Sequence, residues 1–155
     1  MSEPLLALLA ASLARPPHKS ERERARFHLL DWLACVAGAR AEEAGALGAS
    51  ISSRGWERAT YLGNVLEMDD VHRTSLLHPG PVVWPAALSL STGDMDARLD
   101  AAVRGYEAMI AVGAAFDAHH YAFWHPTATM GVFGACAAFG SLLGFAPVEY
   151  ANALG

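Results

Sequence analysis

Apolar residues recur along the chain at helical spacing, separated by short polar or proline-bearing breaks. A first helix is expected to open at Ser2 and Pro4, align Leu5, Leu9 and Leu13, and close at Pro16-Pro17. Ser20-Glu-Arg-Glu23 then reads as a capping box, in which Ser20 and Glu23 satisfy each other's free backbone donors. The helix it starts is expected to bury Phe27, Leu30, Ala34 and Ala37 and to stop near Gly38. An alanine-rich helix follows over 41–52, and a short one over 56–68. The segment 69–80 breaks the pattern with two acids, two His, Arg73 and a Pro-Gly pair. Helix resumes over 81–90, kinked at Pro85. Asp94 is expected to cap a long helix to about Phe116, with Leu99, Val103, Tyr106 and Ile110 on one side. After a second irregular stretch over 117–126, Thr127 is expected to cap an apolar helix ending at Gly144, and Pro147 to start another. Alanine contributes 31 residues, Val and Ile together only 11, which favours helix over sheet. The pattern predicts an all-α, multi-helix domain over 1–155.

Composition changes this picture in one respect. The chain is 53% hydrophobic and only 17% charged, which excludes disorder. It is also poorer in charge than a self-contained 155-residue domain needs to be. Either lipid or further protein is expected to cover part of its surface. Between residues 118 and 148 there is no Asp, Glu, Lys or Arg, and 127–146 is long enough to span a bilayer. Pro126 and Pro147 bracket that run and no basic residue anchors it, so a buried core helix is expected rather than a membrane span.

The net charge of −5 and a single lysine, Lys19, argue against a nucleic-acid partner. The Arg residues of 21–26 alternate with Glu, as on a solvated helix face. Cys35 and Cys136 lie far apart in apolar runs and read as buried free thiols of a reducing, cytoplasmic setting. The acidic start does not resemble a signal peptide.

The two irregular stretches share a design. One ends in His78-Pro79-Gly80 and the other in His125-Pro126-Thr127, each directly before a predicted helix. Free backbone N–H groups at such helix starts favour carboxylate or phosphate, and the positive end of the dipole keeps a nearby imidazole neutral and able to act as a base. Glu67, Asp69, Asp70, His72 and Arg73 lie around them. If the two loops meet, they form a constellation that binds a carboxylate and moves a proton. The cluster His119, His120 and His125 lacks zinc-site spacing, and no metal is expected.

At these residues the sequence resembles the MmgE/PrpD family. The resemblance is carried by 65–72 (VLEMDDVH), 77–80 (LHPG) with 81–88 (PVVWPAAL), 105–107 (GYE), 125–131 (HPTATMG) and 151–155 (ANALG), in that order, and by 29–38 (LLDWLACVAG) as an opening helix. It implies the N-terminal part of a larger helical domain, without the smaller α/β lid that family members carry, and a homodimer formed through the helical part. It implies cofactor-free, metal-free lyase chemistry on a small polycarboxylate such as 2-methylcitrate: proton abstraction with dehydration, decarboxylation or epimerisation. By motif, His125 and His78 match the family's active-site histidines and Asp70 the second acid of its paired acidic motif. Glu67 stands where many members have Asp, and Val71 where many have Thr. His125 is expected as base with His78 or Asp70 as partner, and Arg73 and Thr127 as substrate contacts. The alternative is a catalytically incomplete helical module that serves oligomerisation or interaction only.

Overall fold

Two long helices, α6 (Met95–Ala114) and α8 (Pro126–Leu143), form the spine around which the other helices pack. The computed structural model describes residues 5–51, 55–91, 94–116 and 118–155, so the expected opening at Ser2 and Pro4 lies outside the described residues. Among the described residues the elements are all helical. Before the spine come α1 (Leu5–Ala14), α2 (Lys19–Arg40), α3 (Glu43–Ile51), α4 (Gly55–Asn64) and α5 (Gly80–Ser89). The short α7 (Ala118–Phe123) sits between the spine helices and α9 (Pro147–Leu154) closes the chain.

The spine helices approach closely because each carries a glycine at the crossing. A Cβ on Gly105 would stand 3.0 Å from the carbonyl oxygen of Gly134, and one on Gly134 3.2 Å from that of Gly105. Side chains of Leu99, Met109, Met130 and Ala138 fill the space beside this contact, and Val83 and Trp84 of α5 and Leu62 of α4 extend it into the main core. At the other end, Ala10 and Leu13 of α1 pack with Tyr150 and Leu154 of α9 against Ala108 and Ala137. The last helix thus returns to the first.

Several boundaries follow their sequence signals. Asp94 accepts the backbone N–H of Ala97 at 3.0 Å, as an N-cap should. Gly144 closes α8 in the left-handed conformation at φ 74°. Pro85 sits inside α5. Cys35 is buried and Cys136 half-buried, both free thiols.

Other expectations are corrected. The cap of α2 is His18, whose backbone N–H donates to Glu21 at 2.5 Å, so Ser20 and Glu23 lie inside the helix. Glu21 also binds the Arg15 guanidinium at 3.0 Å, a partner that Glu23 lacks. The helix runs past Gly38 to Arg40. Its expected core face is its outer face: Phe27 is 72% and Leu30 63% exposed, and Ala34 and Ala37 are exposed too. The buried stripe is Ala25, Trp32, Cys35, Val36 and Ala39. α2 carries two apolar stripes, and the one bearing Trp32 is turned inward onto Gly63 of α4, where no side chain intervenes. Residues 118–123, expected to be irregular, form α7. α8 starts at Pro126 with His125 as N-cap, two residues before the expected cap Thr127.

α8 is the one helix among the described residues long and apolar enough to cross a membrane. In this fold its Gly131, Gly134, Ala137, Ala138 and Gly140 are buried and it packs on α5, α6 and α9.

Candidate active site at the acidic loop

The loop from α4 to α5 is held in shape before any side chain acts. His72 N–H donates to Leu77 O at 2.8 Å, closing a small antiparallel bridge, and Ser75 Oγ donates to Ile110 O of α6 at 3.1 Å. Two non-glycine residues take left-handed backbone, Glu67 at φ 53° and Leu76 at φ 50°. Such residues cost of order 1–3 kcal/mol each and persist where the surroundings over-determine them. Here they bracket the acidic pair.

Asp69 and Asp70 serve different partners. Asp69 is buried; its Oδ2 lies 2.9 Å from Nδ1 of His78, and its Oδ1 accepts from Asn64 Nδ2 at 3.1 Å. Burial pushes the Asp69 carboxyl up from its ordinary value, against Asn64 and His78, which favour the charged form. Asp70 accepts at both oxygens. Tyr106 Oη donates to Oδ2 at 2.6 Å, His28 Nδ1 lies 2.8 Å from the same oxygen, and Gly80 N–H donates to Oδ1 at 2.9 Å. Burial works upward on Asp70, but the hydrogen bonds from His28, Tyr106 and Gly80 together hold it below its ordinary value. Glycine at position 80 is required by this approach, since a Cβ there would stand 2.8 Å from Asp70 Oδ1.

The two His-Pro loops meet. The backbone N–H of His78 donates to Thr127 Oγ1 at 2.9 Å, which ties the start of α5 to the first turn of α8. Thr127 is thereby at the site, and its hydroxyl hydrogen is left to donate elsewhere. Glu67 comes within 3.8 Å of His78 Nε2 from an exposed position. His125 is exposed at the N-cap of α8, and no ring hydrogen bond is made by it among the described residues. Arg73 is exposed and has no ion pair among the described residues, so neither it nor His125 is drawn into the Asp69–His78 contact. The neighbouring histidines diverge: His119 rests edge-on against Phe123, while His120 Nε2 lies 2.9 Å from Thr129 Oγ1.

Two residues of this cluster escaped the sequence reading. His28 lies on α2 beside the run of alternating Arg and Glu, and Tyr106 was assigned to a packing face of α6. Nothing local marks His28, and the 105–107 (GYE) motif marks Tyr106 without naming its partner, because each acts on a carboxylate from a distant segment. Two hollows open beside them. One, of about 400 Å³, lies between α2 and α6 against Asp70; a more open one, of about 550 Å³, is lined by Phe27, Met68 and Asp69, and both share His28, Asp70 and Val71.

The family model for the MmgE/PrpD N-terminal domain matches residues 58–155, which include the acidic pair and both His-Pro loops but not α1, α2 or α3. No curated protein and no solved structure matches the chain.

Proposed function

The chain belongs to the MmgE/PrpD family through its N-terminal domain, and from that premise we propose that it supplies the proton-moving half of a lyase site for a small polycarboxylate such as 2-methylcitrate. The observation that carries this reading is the Asp69–His78 pair joined through Thr127 to the second His-Pro loop.

In this reading His78 is the base. Asp69 holds the Nδ1 proton and so fixes the tautomer whose Nε2 lone pair is free. Nε2 takes the proton from the carbon next to a substrate carboxylate. The released electron pair forms the carbon–carbon double bond, the carbon–oxygen bond at the neighbouring carbon breaks, and the leaving hydroxide takes a proton from His125 to depart as water. Thr127 and Arg73 hold carboxylates. Asp70, with both oxygens engaged, anchors the loop.

The experiment is turnover of 2-methylcitrate by the full-length protein, compared with His78→Asn and His125→Asn. Loss of about a hundred-fold or more in each variant is expected for a positioned base and acid. Undiminished turnover in either removes that residue from its role.

A second reading is favoured by the outer face of α2. Phe27, Leu30 and nearby Met68 are 72%, 63% and 73% exposed, as on a surface that associates with another helical domain or a second copy. Light scattering that shows only monomer at high concentration would exclude self-association.

A further inference from the structure

The smaller hollow has a chemistry distinct from the Asp69–His78 pair, neither member of which lines it. Its acceptors are already occupied. Glu21 is bound by Arg15 at 3.0 Å and by the His18 N–H. Both oxygens of Asp70 are taken, and the Tyr106 hydroxyl hydrogen is committed to one of them.

The uncommitted side-chain hydrogens that line the hollow belong to Arg24, His28 and His72. His28 commits Nδ1 to Asp70, and that hydrogen bond raises its pKa, which favours a protonated ring with Nε2–H unspent. His72 accepts the Ser75 N–H at Nδ1, at 3.3 Å, which leaves its other ring nitrogen carrying the proton. Arg24 is exposed, with no ion pair among the described residues, and its charge opposes that of His28. Arg24 and His28 face the same space as the carboxylates of Glu21 and Asp70, each of which already has its own partners. The rest of the wall is apolar, with Val103 and Ile110 of α6 opposite Ala25 of α2.

We propose that the hollow between α2 and α6 binds a small monocarboxylate with a short hydrocarbon chain, its carboxylate on Arg24, His28 and His72 and its chain against Val103 and Ile110. Two charged donors and one neutral one suit the four lone-pair directions of a carboxylate, and a cavity of about 400 Å³ accommodates a few carbons besides. The site is distinct from the Asp69–His78 pair, which is not in its wall, and it draws Arg24 and His28 from α2, outside the family match.

The test is a titration of the isotope-labelled chain with butyrate, followed by NMR, with butyramide as the uncharged isostere. Saturable shifts are expected at the His28 ring and at the Val103 and Ile110 methyls, with butyramide binding more weakly. Arg24→Ala is expected to weaken butyrate about five-fold, the size of one partly exposed ion pair. Lys19→Ala removes the same charge from the exposed start of α2 and is expected to change nothing. Butyramide binding as tightly as butyrate, equal losses in the two variants, shifts centred on Phe27 and Met68, or no saturable shift would each overturn the proposal.

Discussion

His28 Nδ1 lies 2.8 Å from Asp70 Oδ2, joining the middle of α2 to the loop that carries the acidic pair. The same carboxylate takes the Tyr106 hydroxyl from α6 and the Gly80 N–H at the start of α5. One half-buried acid therefore fixes three helices relative to one another, and its neighbour Asp69 is left facing His78.

This arrangement sets a pH window for stability. Asp70 is held below its ordinary value of 3.8, so its contribution is present above that value and is lost as pH falls through the lower folded pKa. His28 is raised above 6.5, so its contribution is complete below that value and is lost as pH rises through the higher folded pKa. Both contribute between about pH 4 and pH 6.5. His28 is partly exposed, and screening limits its share to about 0.5–1 kcal/mol. Denaturation midpoints are expected to decline from pH 6 toward pH 9 in the parent (~pH values bracketing the histidine range) and to decline less in His28→Gln.

Gly80→Ala is expected to destabilise by about 1–3 kcal/mol, because the added methyl meets Asp70 Oδ1 at 2.8 Å and Tyr106 Oη at 3.3 Å. Gly55→Ala, where nothing lies within 4 Å, is expected to be neutral or to stabilise by up to about 1 kcal/mol. Chemical denaturation of the two variants checks both.

Tyr106→Phe keeps the ring beside Trp84 but removes the hydroxyl that Asp70 accepts. A cost of about 1.5–3 kcal/mol is expected for a hydrogen bond to a charged, half-buried carboxylate. A change of less than about 0.5 kcal/mol in urea denaturation would show that Asp70 is satisfied without it.

The orientation of α2 gives the sharpest contrast between adjacent stripes. Trp32→Ala, on the buried side, is expected to cost about 3–5 kcal/mol, and Phe27→Ser, on the outer side, less than about 0.5 kcal/mol. Equal losses in thermal or chemical unfolding would return Phe27 to the core.

That stripe also shows where sequence reasoning reached its limit. Asp94 and Gly144 mark helix ends by local chemistry, and the structure has them at the ends of α6 and α8. The paired His-Pro loops were legible for the same reason, since each lies just before a helix. Phe27 and Trp32 lie on stripes with equal periodicity. The choice between them depends on Gly63 of α4, a residue that no pattern within α2 names. Ser20 and Glu23 lost the cap to His18 and Glu21 because Arg15 adds a second bond to Glu21. His28 was hidden by distance along the chain: its meaning comes from Asp70, and Asp70 reaches it only because the loop turns left-handed at Glu67 and Leu76.

The central claim, that Asp69 holds His78 as a base with Nε2 bare, is tested most directly by the ring-nitrogen NMR signals of His78 in the labelled chain near neutral pH. The proton is expected on Nδ1, with Asp69→Asn disturbing that preference. A neutral ring with its proton on Nε2 would contradict it.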